Sequence, residues 1–375
     1  MWSLSEFFKQ FKRKKTLDYF DDDPELEHEC TSWMVFSDLT GNNSNILHKN
    51  RDFKRYDISV YLSPENSRRK WIALGSDSKC TMGMNTSGLA GVMNSGELCI
   101  NHSTDDTKKT TPEIMRVIIE SCDTAAEAVE KLREIIASGD YWHRQKGSTF
   151  FFMDTNEGYI CEFTPAFFTV QPYKSGYAVR ANIWQNPGMQ YHSRSSITAC
   201  LNSSARTYIA YSGLNKFLDE KGKIGVEDIM ELSRHCTMPE ESPEKRSLCY
   251  MRTNSAATFE IDRQYPGVLS SGYFSIGHPR NTIIVPIPVC TVKILDAMGD
   301  NSWSAAALKR LNELGYDAYI PEKWLEFERI SMEKYSAARE SARQYLDSGK
   351  HDRAVELLNA AAYRIWEEAA ELLEI

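Results

Sequence analysis

Between Glu29 and Asp52 the chain reads E-C-T-S-W-M-V-F-S-D-L-T-G-N-N-S-N-I-L-H-K-N-R-D. Trp33 to Ser37 alternates as a half-buried strand does. Asp38 to Asn45 is dense in turn formers around Gly41, a composition that reverses the chain. Ile46, Leu47 and His48 begin a return strand, which carries Lys49, Asn50 and Asp52 back alongside Cys30. Such a hairpin sets a thiol and a carboxylate side by side although they are far apart in sequence. Two readings follow. Either Cys30 is a catalytic nucleophile whose machinery Asp52 holds in place, or Cys30 is a small buried hydrophobe at a strand start and Asp52 a turn residue.

The rest of the composition narrows the class. A chain of 375 residues holds one large or two ordinary domains with ample core. A hydrophobic share of 42% and a charged share of 26% are those of an ordinary globular protein. The net charge of −8 disfavours nucleic acid or an anionic membrane as the main partner. No apolar run approaches the roughly 20 residues of a membrane span. The nine cysteines are odd in number, widely spaced and without a C-x-x-C pair, which argues against a disulfide framework and a zinc knuckle. A reducing, cytoplasmic setting follows, and it suits a thiol that must stay unoxidised.

Residues 1 to 29 pair a basic start with an acidic, extended stretch. Trp2, Leu4, Phe7, Phe8 and Phe11 line one face of a short helix there, facing either a membrane surface or the chain's own domain. Strands are expected over Asp57 to Leu62, Lys70 to Leu74 and Leu89 to Met93, the last ending at Asn94, where Asn-Ser-Gly reads either as a simple turn or as the seat of a functional amide. Amphipathic helices are expected from Thr111 to Ser121, with Thr111 as cap and Pro112 at the first position, and from Thr124 to Ala137. Thr149 to Met153 and Tyr159 to Phe163 form a hairpin around D-T-N-E-G. A helix starts near Ser203 and another spans Val226 to His235. Beyond about Ser302 the composition turns helical, ending in a pair, Trp324 to Leu346 and Asp352 to Leu373. The charged stripes of that pair read most simply as solvated faces, with a contact between two copies in a homo-oligomer or a cover over the main domain as the other readings.

The motifs have a family likeness. Cys-Thr-Ser followed by a hairpin and then K-N-R-D resembles the amino end of the mature linear-amide hydrolases. These N-terminal-nucleophile enzymes include choloylglycine hydrolase, penicillin V acylase, the isopenicillin-N acyltransferase-like autoproteolytic proteins and related cysteine dipeptidases. Lys49 stands where that family has an arginine, and is a further site candidate. The run from Asn85 to Asn94 is similar to the family's N-x-x-G-L-x-x-x-N, Asn182 falls at its strand-end asparagine with Ala181 in place of threonine, and Arg206 matches its S-x-x-R. Glu162 sits in a family-like hairpin and is read as a structural carboxylate. His278 is read as a loop histidine.

The resemblance implies an α+β fold, a four-layer α/β/β/α sandwich over residues 30–295, with a removable pro-segment at 1–29 and a helical extension at 296–375. It implies self-cleavage before Cys30, so that the residue's own α-amine serves as its base. Asp52 would orient that amine, Asn94 and Asn182 would receive an oxyanion, and Arg206 would stabilise the thiolate or a substrate carboxylate. The substrate would be a small-molecule amide, such as a bile-acid conjugate, a penicillin, an N-acyl amino acid or a dipeptide, with no metal or organic cofactor. Acyl transfer to an amine, or an inactive relative used as a binding module, are the alternatives.

Overall fold

The hairpin forms, and it starts earlier than its alternation suggests. In the computed structural model, which describes residues 29–76, 79–143, 145–236 and 247–375, β1 (Glu29–Val35) pairs antiparallel with β2 (Asn45–Asp52). The register sets Glu29 opposite Asp52, Cys30 opposite Arg51 and Ser32 opposite Lys49. Cys30 therefore lies inside a strand. All residues of both strands are buried, because one face meets a second sheet and the other meets helices, and double burial erases the alternating pattern that marked Trp33. The helix expected near the amino end lies outside the described residues.

The other strands are β3 (Ile58–Leu62), β4 (Trp71–Ser76), β5 (Lys79–Asn85), β6 (Ala90–Leu98), β7 (Lys146–Met153), β8 (Gly158–Thr164), β9 (Phe167–Tyr173), β10 (Tyr177–Arg180), β11 (Thr253–Ile261), β12 (Ser271–Ser275) and β13 (Ile284–Pro288). The longer helices are α1 (Thr111–Ser121), α2 (Ala125–Ala137), α3 (Ile197–Lys221), α4 (Val226–Ser233), α5 (Ser302–Leu314), α6 (Glu322–Asp347) and α7 (His351–Leu373). A six-stranded sheet runs β10-β1-β2-β11-β12-β13, and a seven-stranded meander runs from β3 to β9 in chain order.

The two sheets face each other, with Met34 of β1 reaching across towards Gly158 of β8. Helices α1 and α2 cover the outside of the meander, packing Ile114, Met115, Ile118 and Leu132 on Phe150, Phe152 and Phe163. Gly91 permits the close approach of α1, since a Cβ there would stand 2.7 Å from Met115 Sδ. Helices α3, α4, α6 and α7 cover the six-stranded sheet, and Trp366 of α7 donates Nε1–H to Pro286 O at 2.8 Å. Helix, sheet, sheet and helix make the expected four-layer α/β/β/α sandwich.

Several boundaries differ from the sequence reading. β6 runs through Asn94 to Leu98, so Asn94-Ser95-Gly96 is strand and not turn, paired with Thr149 and Ser148 of β7. The cap of α1 is Thr110, one residue earlier, where Glu113 closes a capping box. Helix α3 begins at Ile197, capped by Ser196, whose Oγ accepts from Ala199 N–H at 3.2 Å. Its first turns carry exposed Ile197 and Leu201, so no apolar stripe announces them.

Candidate functional site

Strand alternation sorts the hairpin's side chains onto two faces. Cys30, Ser32 and Met34 point between the sheets, together with Lys49 and Arg51 across the register. Lys49 Nζ lies 3.1 Å from Cys30 Sγ, bonds to Met93 O, and sits 3.4 Å from Asn94 Oδ1. Ser32 donates to the same Asn94 oxygen at 2.8 Å. No carboxylate bonds to Lys49 among the described residues. Burial pulls its ammonium well below the usual lysine range, opposed by the neighbouring Cys30 sulfur.

Asn94 is held at both ends of its amide. Its Nδ2 donates to Arg180 O and Ala181 O, each at 3.2 Å, which ties β6 to the end of β10. Asn182, two residues past β10, accepts from Cys30 N–H at 3.0 Å and donates to Ser95 O at 2.7 Å. Arg206 is wholly buried, its guanidinium directed at the carboxyl side of the same residue. It donates to Cys30 O at 2.7 Å, Thr31 Oγ1 at 2.8 Å and Asn182 Oδ1 at 2.8 Å. Cys30 is thus gripped at its sulfur by Lys49, at its nitrogen by Asn182 and at its carbonyl by Arg206, while only 5% exposed.

Asp52 shares the opposite face with Glu29, its register partner. Thr253 Oγ1 donates to Oδ1 at 2.7 Å, and Oδ2 has no hydrogen-bond partner among the described residues. Burial pushes this carboxyl up to about 7, against the pull of Arg206. The structure therefore joins Cys30, Lys49, Asn94, Asn182 and Arg206 by direct contacts. Asp52 lies across from the residue before Cys30, without a hydrogen bond to the cysteine.

Several neighbours escaped the sequence reading. The Glu29 carboxylate is buried, accepting from Asn202 and, at 2.9 Å, from Tyr250 Oη. A small cleft beside the Glu29–Cys30 bond is lined by Glu29, Gly96, Leu98, Lys146, Asn182 and Ser203. Asn202 precedes Arg206 by one helical turn, a spacing that could have flagged it. Nothing local marked Tyr250. Arg51 turns to Asn254 Oδ1 at 3.3 Å and Ser76 Oγ at 3.0 Å, away from the sulfur.

Glu162 is structural as read. It accepts from Arg180 Nε–H at 3.2 Å and from the backbone of Gln185 and Asn186, bracing the segment that carries Asn182. His278 lies in the loop after β12, as read, and is fully buried there, bonded to Tyr250 O and Asn281, and burial lowers it to about 3. The nine cysteines, all among the described residues, form no disulfide. No helix among the described residues is long and apolar enough to cross a membrane.

A protein-family model described as acyl-coenzyme A:6-aminopenicillanic acid acyl-transferase matches residues 39–259, more than half of the chain. The chain belongs to this acyl-transferase family. Among solved structures, this acyl-transferase family member is similar to a variant of conjugated bile acid hydrolase from Clostridium perfringens, with 12% identity, 70% of this chain and 95% of that one covered, and a TM-score of 0.49. Penicillin V acylase from Agrobacterium tumefaciens is 15% identical, over 72% and 89% of the two chains, at a TM-score of 0.46. The Caenorhabditis elegans ortholog of N-acylethanolamine-hydrolyzing acid amidase is 13% identical, over 64% and 94%, at 0.42. No curated protein matches the chain. The family match contains Lys49, Asp52, Asn94, Asn182 and Arg206. It begins nine residues after Cys30, which the register of β1 on β2 brings to them.

Proposed function

We propose that the chain is a cysteine amide hydrolase that cuts its own Glu29–Cys30 bond and then works from the new amino terminus. Residues 1–29 would be the pro-segment, 30–295 the catalytic domain and 296–375 a helical extension. The observation that carries this reading is the grip on Cys30: sulfur on Lys49, nitrogen on Asn182 and carbonyl on Arg206.

In the uncut chain Cys30 has an amide nitrogen and no amine of its own. Lys49, whose burial favours the neutral form, is the group within reach of the thiol proton. The sulfur attacks the Glu29 carbonyl carbon, a C–S bond forms, the C–N bond breaks, and the proton passes to the leaving nitrogen. Water then hydrolyses the thioester and frees the Glu29 carboxyl. The new α-amine, with an ordinary pKa of about 7.7–8.0, becomes the base for later turnovers. Asp52 gains the cation that its bare Oδ2 lacks. Asn182 and Asn94, whose amide protons hold backbone carbonyls in the uncut chain, would receive the developing oxyanion, and losing such a donor costs about 100- to 1,000-fold in rate. Arg206 keeps the strand end in register and offers charge to an anion.

The family match favours a second outcome, transfer of the acyl group to an amine, which differs only in the entering nucleophile. The burial of Cys30 favours a third, an uncut binding module. Intact-mass measurement separates them from the main reading. The native chain should lose residues 1–29 while Cys30→Ala stays full length. A native chain that remains whole on long incubation, its thiol intact, overturns the enzyme reading and leaves the binding module.

A further inference from the structure

Glu29 supplies the acyl side of the bond that self-cleavage breaks, and its side chain is held as a ligand is held. The carboxylate is 2% exposed, with Tyr250 Oη donating at 2.9 Å, Asn202 Nδ2 donating, and an Arg206 guanidinium nitrogen 3.6 Å away. A carboxylate leaves water only where donors of this kind await it. The same side chain forms one wall of the cleft beside Asn182, and Lys146 stands on that cleft too. Two other carboxyls stand close by: Glu97, on the same cleft, is engaged by Trp184 N–H at 3.0 Å and Ser193 Oγ at 2.8 Å, and Asp52, the register partner of Glu29, is driven towards its neutral form by burial.

The thioester formed in self-cleavage joins Cys30 Sγ to the Glu29 carbonyl. The thioester of each later turnover joins the same sulfur to the substrate's acyl carbon. An acyl group placed where Glu29 stood therefore meets the donors that Glu29 met. We infer that the processed site selects amides of a short dicarboxylic acyl group, glutaryl or α-glutamyl in type, whose free carboxylate is bound by Arg206, Asn202 and Tyr250. The amide C–N bond breaks as the C–S bond forms, the amine leaves with the thiol proton, and water releases the dicarboxylate. The inference rests on the self-cleavage proposed above.

The test uses purified protein whose loss of residues 1–29 has been checked by mass. Glutaryl and pentanoyl p-nitroanilides have equal carbon counts and differ in a carboxylate against a methyl. The glutaryl compound should be preferred at least about 100-fold in kcat/KM, since a site built for a polar group rejects an analogue without it. Tyr250→Phe should narrow that ratio about tenfold, the worth of one hydrogen bond to a charge. As a second measurement, glutarate should protect Cys30 from iodoacetamide, followed on its own peptide by mass, where pentanoate does not, and Asn202→Leu should abolish that protection. Equal rates, or equal protection by the two acids, in cleaved protein overturn the inference alone. A chain that never cleaves overturns the reading beneath it as well.

Discussion

Replacing Asp52 by Asn in a chain kept whole by Cys30→Ala isolates the least comfortable group in the site. Asp52 is buried, with one hydrogen bond from Thr253 and no partner for Oδ2 among the described residues. Burial lifts its carboxyl from the ordinary 3.8 to about 7. That shift is roughly three pKa units, and at about 1.36 kcal/mol each it amounts to roughly 4 kcal/mol as an upper figure. The folded chain holds the proton more tightly than the unfolded one. Below about pH 4 both forms carry it and the group costs nothing. Stability then falls as pH rises from about 4 to about 7, and the full cost persists above that.

Asn keeps the shape, can accept from Thr253 and never ionises. Urea unfolding should show Asp52→Asn more stable by roughly 2–4 kcal/mol at pH 8, with the gain gone at pH 4 and the slope unchanged. In the cleaved protein the sign reverses, because the new ammonium pairs with the carboxylate and Asn would leave it buried without a counter-charge. No gain at pH 8, or an equal gain at both pH values, would refute the argument that this carboxyl is uncompensated before cleavage.

Lys49→Met should slow self-cleavage by about 100-fold or more in a mass time course, the usual worth of a positioned base. Lys49→Arg should also be slow, because a guanidinium cannot give up its proton at neutral pH, and wild-type cleavage by that variant would count against the proton-acceptor role. Glu328→Gln weakens the paired contact with Arg234, at 2.6 and 2.7 Å, and the acceptor for Ile284 N–H at 2.7 Å. Removing the counter-charge of the buried guanidinium should cost about 3–5 kcal/mol, read calorimetrically as a fall in Tm of about 4–6 °C. A melt within a degree of wild type would mean that α6 is not clamped to α4 by this pair.

What could be read from sequence was whatever is encoded locally. The Thr-Pro-Glu start fixed α1, and turn formers from Asp38 to Asn45 fixed the hairpin that carries Lys49 and Asp52 to Cys30. Asn94 stood open between turn and strand end because Asn-Ser-Gly has turn composition, and the pairing of β6 with β7 carries the strand through it. Arg206 lies on a helix with exposed Ile197, Leu201 and Tyr208, so by itself it resembles a solvated residue. Its burial comes from two strand ends that its own neighbours in sequence do not reveal. The Glu29 cradle is more remote still, since Asn202 and Tyr250 come from 173 and 221 residues away. Ordinary strand chemistry made Glu29 look like a flank.

The charges around residue 29 give cleavage a second consequence besides freeing an amine. In the uncut chain burial drives both Lys49 and Asp52 towards their neutral forms, while the Glu29 carboxylate satisfies Arg206, Asn202 and Tyr250. Breaking the bond, as proposed, would take one anion away from Arg206 and place the new amine, in its protonated form, opposite Asp52. The site would then become more positive by up to about two charges while the amine is protonated, in a region where low dielectric makes each worth more than in water. An anionic substrate would then be repelled by the intact chain's own carboxylate and attracted once it had gone. On the proposed self-cleavage, Glu29 would act as a built-in competitor, and its removal would free the base and open the substrate's carboxylate site in one chemical step.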